Sequence, residues 1–160
     1  MTEKKATLSS YLTFKLHNEL FAVSVEKVLE VILEYKLVEV PDAPKYIAGM
    51  ISFRGDIIPV INFRKKFNFP ESSNKNIIIV MDIVIDENSI KFAAIVDGVK
   101  DVFDITDEEI KDIPEFGSKY NPEYLTGMIH KNNDFFMLLN IEKVFSDKEI
   151  EIISKKTNSK

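Results

Sequence analysis

PKYIAGMISFRGDIIPVINFRKKF, residues 44–67, lines up without a gap on PEYLTGMIHKNNDFFMLLNIEKVF, residues 122–145. Nine of the 24 positions are identical: Pro44/Pro122, Tyr46/Tyr124, Gly49/Gly127, Met50/Met128, Ile51/Ile129, Asp56/Asp134, Asn62/Asn140, Lys65/Lys143 and Phe67/Phe145. A second block, residues 21–31, matches residues 92–102 at Phe21/Phe92, Ala22/Ala93, Val25/Val96, Val28/Val99 and Val31/Val102, and Glu26/Asp97 and Glu30/Asp101 keep their charge. The offset is 78 in the first block and 71 in the second, and the difference falls at the Thr-Asp-Glu-Glu segment that the second half carries in addition. Matches at proline, tyrosine, glycine and aspartate are more than the bias of two Ile/Val-rich stretches. Two related units, about 11–67 and 77–145, make up one domain, and neither alone offers much core.

Within each unit the pattern is that of strands. Residues 11–23, 37–40, 47–53, 57–63, 77–85, 90–96 and 135–141 are rich in Ile, Val and Phe, which suit a pleated surface. Turn chemistry separates them, at His17-Asn18-Glu19, Arg54-Gly55-Asp56, Asp86-Glu87-Asn88-Ser89 and Lys131-Asn132-Asn133-Asp134. Such short spacing predicts hairpins and antiparallel barrels. Helix is sparse. Ser24 is placed to cap a short turn with Glu26 near its positive end, and Thr106 with Glu109 has capping-box spacing before Pro114. Asn121-Pro122 reads as a cap followed by proline, and residues 141–154 read as a helix ahead of a frayed, basic tail.

Composition removes several chemistries. The 160 residues carry 21 basic and 26 acidic side chains, a net charge of −5, without the basic stripe of a nucleic-acid binder. There is no cysteine, so thiolate zinc sites, disulfides and cysteine nucleophiles are excluded, and two histidines, His17 and His130, do not make a metal site. No apolar run reaches the length of a signal peptide or a membrane span, so a reduced, cytoplasmic protein is expected. Phosphate loops, dinucleotide fingerprints and nucleophile elbows are absent, five glycines cannot line a phosphate cradle, and no cofactor is expected.

The arginines are more telling. Only Arg54 and Arg64 break a composition that otherwise uses lysine, which places each where a planar fork is needed. Arg54 lies at a hairpin tip and its repeat partner is Asn132, so it breaks the pseudo-symmetry and is a candidate for function. An ion pair to Glu30 or Asp56 is the alternative use of its charge. Val25, Val28 and Val31 and their partners Val96, Val99 and Val102 recur every three residues beside acidic residues. Each valine alone fits core packing. Together, two equivalent apolar edges can flank a groove suited to an amphipathic helix.

Taken in order, these motifs resemble the CheW family of bacterial chemotaxis adaptors. They are Tyr-Leu-Thr-Phe at 11–14, Val28-Leu29-Glu30-Val31, Pro44-x-Tyr46-Ile47-x-Gly49, and the run from Arg54-Gly55-Asp56 through Pro59 to Asn62-Phe63-Arg64. Val96-Asp97-Gly98-Val99, Glu123-Tyr124-Leu125-Thr126-Gly127 and Leu139-Asn140-Ile141-Glu142-Lys143 follow. The resemblance implies a mainly β fold of two five-stranded SH3-like barrels packed around a shared core, with few short helices. It also implies a noncatalytic adaptor that binds the histidine kinase CheA and the cytoplasmic tip of methyl-accepting chemoreceptors, reaching the membrane only through those receptors. By position, Val28, Glu30, Arg54, Val96 and Val99 are the expected receptor-facing residues, and Gly49, Asp56 and Ile57 the expected kinase-facing ones. Three departures stand out: Ile32 replaces a common basic residue, Ser52-Phe53 replaces Asn-Leu, and Asn62 replaces aspartate. The first puts in doubt any salt bridge expected there. A ligand-sensing module with a metabolite between its barrels, and a piece of a CheV-like protein or of the kinase's own adaptor-like domain, are the alternatives; the charged start and polar end of the chain favour a free-standing adaptor over the latter.

Overall fold

A computed structural model describes residues 8–71, 76–113 and 122–157. Among these residues ten strands form two five-stranded sheets. In chain order they are β1 (Leu8–Leu16), β2 (Glu19–Ser24), β3 (Val28–Ile32), β4 (Ile47–Phe53) and β5 (Asp56–Asn62), then β6 (Ile77–Ile85), β7 (Asn88–Val96), β8 (Gly98–Thr106), β9 (Leu125–Lys131) and β10 (Asp134–Leu139). One sheet runs β8-β1-β2-β10-β9 and the other β3-β6-β7-β5-β4. Exchanging each strand for its repeat partner five places along converts one order into the other. The sequence repeat is therefore a pseudo-twofold of the fold, but a sequence unit is not a sheet. Each sheet takes two strands from one unit and three from the other.

Both sheets curl until their edges meet. Arg54, in the turn after β4, pairs with Glu30 on β3 at the opposite edge, with nitrogen and oxygen 3.1 Å apart. In the other sheet Lys131 at the end of β9 pairs with Glu109, just beyond β8, at 2.7 Å.

Three apolar cores result. Ile51, Phe53, Ile58, Val60, Ile78, Val80, Ala93 and Ile95 fill one barrel, and Ala22, Ile105, Ile129, Phe136 and Leu138 fill the other. The largest core lies between the barrels and draws Phe14, Phe21, Ile61, Phe63, Ile79, Met81, Phe92 and Val96 from both units. Strands such as β6 and β7 face a barrel core on one side and the shared core on the other. That is why residues 77–81 read as a continuous apolar run without alternation.

Turn residues carry the expected backbone. Arg54-Gly55, Asp86-Glu87 and Asn132-Asn133 all have positive φ at both positions, the geometry that two-residue hairpins favour. Asn62 ends β5 by accepting the Arg64 and Lys65 amides, which starts the short helix α1 (Phe63–Lys66). Its partner Asn140 does the same for a 3-10 turn, Ile141–Lys143. Aspartate would offer the same acceptor, so this departure from the family pattern leaves the cap intact.

The structure corrects four expectations. The helix expected over 141–154 is that 3-10 turn, a break, and then α2 (Asp147–Thr157), entered through a reciprocal Ser146–Glu149 capping box. Residues 37–40 contribute only an isolated bridge, Val38 to Met50. Strands β3, β8 and β9 were not among the expected strands, and β3 and β8 share a reason, a bulge at the same repeat position. The extra residue turns a spacing of two into the valine spacing of three. Finally, the barrels are not purely antiparallel: β2 pairs β10 and β5 pairs β7 in parallel, the second ladder starting only at Val60, after Pro59. The expected caps at Ser24 and Thr106 are present, while Asn121 lies outside the described residues.

Candidate functional site

The β4–β5 hairpin tip concentrates the unusual features. Arg54 sits at φ 50°, a left-handed conformation that asparagine tolerates and arginine does not favour. Its partner Asn132 has φ 52°. The turn therefore asks for Asn or Gly and carries Arg at a cost of about 1 kcal/mol. The Arg54 side chain is 62% exposed, and its guanidinium stands 4.7 Å above the Phe53 ring and pairs with Glu30, whose side chain is 45% exposed. The ion pair considered from sequence is thus present, with Glu30 as the partner; Asp56 instead faces Lys91 at 3.6 Å. A pair this exposed contributes at most about 1 kcal/mol. It orients the guanidinium and leaves it open to a partner.

Of the other expected receptor-facing residues, Val28 is half-buried on β3, two positions before Glu30, and packs against the shared core. Val99 is half-buried on β8 and reaches the same core from the other sheet. Val96 requires a correction. It is fully buried in the shared core, because it shares the inward face of β7 with Phe92 and Ala94. It supports the surface from beneath and does not present itself to a partner.

Of the expected kinase-facing residues, Asp56 is exposed and Ile57 is 56% exposed. Cross-strand pairing puts Ile57 opposite Ser52 and Pro59 opposite Met50, and Met50 bridges to the exposed Val38. Residues 51, 53, 58 and 60 fill the barrel, so this outer face carries Ile57, Met50 and Val38 as a small apolar patch. Gly49 is buried, with φ 156°, and a Cβ there would lie 2.4 Å from the Val38 carbonyl oxygen. Its role is to let the Val38 segment close over β4. Sequence reading missed Val38 and Met50, since only the bridge brings them beside Ile57.

The two sets meet at one hairpin, through Arg54 on one side and Asp56 and Ile57 on the other. Arg54 turns toward β3, whereas Asp56 and Ile57 begin the outer face of β5. Under the pseudo-twofold Ile57 corresponds to Phe135, also 56% exposed, which stacks on His130 at 4.4 Å between ring centroids.

The second arginine has a different use. Arg64 and Asp97 form a buried ion pair, with side-chain exposures of 2% and 5%, and Asp97 also accepts the His17 amide. That knot joins α1, the β7–β8 corner and the β1–β2 turn. The two arginines therefore do not share a surface. Farther away, Glu109 is held down to a pKa of about 2 by its hydrogen bond to Lys131 and by the Thr106 amide.

Among the described residues no cluster of His, Asp and Glu suits a metal ion, and no helix is long and apolar enough to cross a membrane. Two curled sheets around a shared core, with exposed side chains at a strained turn, define a two-barrel β protein. The sequence signature of the CheW-like domain matches residues 10–149, and the chain belongs to that family. The chemotaxis protein CheW of Klebsiella aerogenes is 32% identical over 144 residues, covering 89% of this chain and 85% of that protein. CheW of Treponema pallidum is 26% identical over 141 residues, covering 87% and 83%. The crystal structure of the scaffolding protein TtCheW from Thermoanaerobacter tengcongensis superposes with a TM-score of 0.75 at 25% identity, over 88% of this chain and 94% of that one. The chain is a noncatalytic chemotaxis scaffold of this family.

Proposed function

We propose that this scaffold is a cytoplasmic adaptor that couples methyl-accepting chemoreceptors to a CheA-type histidine kinase. The receptor's helical tip lies against β3 and the β4–β5 tip, with Val28 and Val99 as apolar edges and the Glu30–Arg54 pair as the polar contact. The kinase docks on the outer face of the same hairpin, through Ile57 and Asp56, with Val38 and Met50 beside them and Gly49 as the packing residue beneath. The observation that carries this reading is Arg54. An arginine is kept where the turn's own repeat partner has asparagine, and its guanidinium points outward from a strained backbone.

The mechanism is geometric. Both partners grip one rigid hairpin, so a small displacement of the receptor tip is delivered to the kinase and shifts its balance between states. Individually weak contacts suffice, because repeated units in an array supply avidity. The test is kinase activity with receptor fragments on vesicles. Arg54→Ala lowers receptor-dependent activation while kinase binding is kept, and Ile57→Asp lowers kinase binding itself. Full activation by Arg54→Ala contradicts the reading.

A further inference from the structure

A cavity of about 650 Å³ opens where the first unit meets α2, and neither docking surface uses it. Lys45, Lys65 and Lys66 line it against one carboxylate, Glu149, in a chain whose net charge is −5. Glu149 is already engaged, by Lys66 at 3.3 Å and by the Ser146 amide at 2.8 Å. Among the described residues the ion pairs include neither Lys45 nor Lys65. Tyr46 also lines the cavity, and its hydroxyl is buried without a hydrogen-bond partner. Burial and the nearby Glu149 raise its pKa, so the phenol keeps its proton and is a donor at neutral pH. Phe69 and Pro70 add an apolar wall.

The repeat separates what the fold needs from what it does not. Tyr46 has Tyr124 as its partner, and Lys65 has Lys143. Lys45, however, corresponds to Glu123 and Lys66 to Val144. The equivalent turn forms in the second unit without two of the three cations, so the turn itself requires neither Lys45 nor Lys66.

We propose that this cavity binds a small phosphate monoester carried on a flat apolar body. Lysines act as point charges that converge on phosphate oxygens, whereas a planar carboxylate is better matched by the fork of an arginine, and no arginine lines this cavity. A phosphate oxygen supplies the acceptor that the Tyr46 hydroxyl lacks. The flat body lies against Phe69 and Pro70, and the volume suits a small molecule. The site stands apart from the adaptor reading, and its test needs neither kinase nor receptor.

Isothermal titration of the full chain with phenyl phosphate, at low ionic strength, reads it out, with inorganic phosphate and benzoate as comparison probes. Saturable binding of phenyl phosphate, about tenfold tighter than either comparison probe, is the expected result. Lys65→Glu weakens it by at least about tenfold, since an exposed attraction becomes a repulsion. Tyr46→Phe weakens it by about threefold or more, with thermal melts showing that both variants stay folded. Absence of saturable binding overturns the proposal, as does equal binding by Lys65→Glu or equal affinity for inorganic phosphate.

Discussion

Arg54 shows how a single side chain is decided by competing small energies. Its left-handed backbone costs about 1 kcal/mol, the exposed pair with Glu30 returns at most about 1, and the guanidinium over Phe53 returns about 0.5–1. Arg54→Asn removes all three effects together. Its stability in urea is expected to stay within about 1 kcal/mol of the parent, while receptor coupling falls. Arg54→Ala keeps the strain and loses both contacts, so it is expected to be less stable by about 0.5–2 kcal/mol. Gly49 is the opposite case, a buried position with no surface to offer. Gly49→Ala drives a Cβ into the Val38 carbonyl and is expected to cost about 2–3 kcal/mol, read from the shift in denaturation midpoint. Loss of kinase binding in that variant would then follow from a displaced Val38 segment. Arg54 was legible as a candidate because it broke a repeat. Val96 was misjudged because a valine near a charged turn looks the same in sequence whether it faces in or out.

At the scale of elements, hairpin turns were legible and the edge strands β3, β8 and β9 were not. Two-residue turns announce themselves by composition, and strands buried on both faces announce themselves as apolar runs. The bulges in β3 and β8 erase the period of two, and in β8 the reason is visible. Thr13, buried on β1, donates to the Asp101 carbonyl at 2.8 Å and accepts its amide at 2.9 Å, satisfying the backbone that the bulge leaves unpaired. The equivalent residue at the β3 bulge is Val80, opposite Glu30. Edge closure likewise depends on side chains far apart in sequence, such as Glu109 and Lys131. Because the folded pKa of Glu109, about 2, lies below its ordinary 4.5, this contact stabilises the fold fully above pH 4.5. The contribution fades as pH falls toward 2. Paired urea melts of the parent and Glu109→Gln are expected to show a stability gap at pH 6 that closes by pH 2–3; a gap independent of pH would contradict it.

At the scale of the molecule, the pseudo-twofold with exchanged strands makes the two barrels one folding unit. Neither sequence half contains a whole sheet, and the shared core draws from both. The Arg64–Asp97 knot fastens this arrangement where α1, the β7–β8 corner and the β1–β2 turn converge. Removing one member of a buried pair strands the other, so Arg64→Ala is expected to cost about 3–5 kcal/mol. Unfolding followed by tyrosine fluorescence and by circular dichroism is expected to remain one cooperative transition. The repeat made this architecture visible in outline, while the exchange of strands between units had no signal in a single sequence. The most direct test of the account is co-sedimentation of the chain with its kinase and a receptor cytoplasmic fragment on vesicles, with kinase activity read in the same samples. The account predicts receptor-dependent activation that requires this chain and that Arg54→Ala lowers. Activation equally strong without the chain, or binding to neither partner, would contradict it.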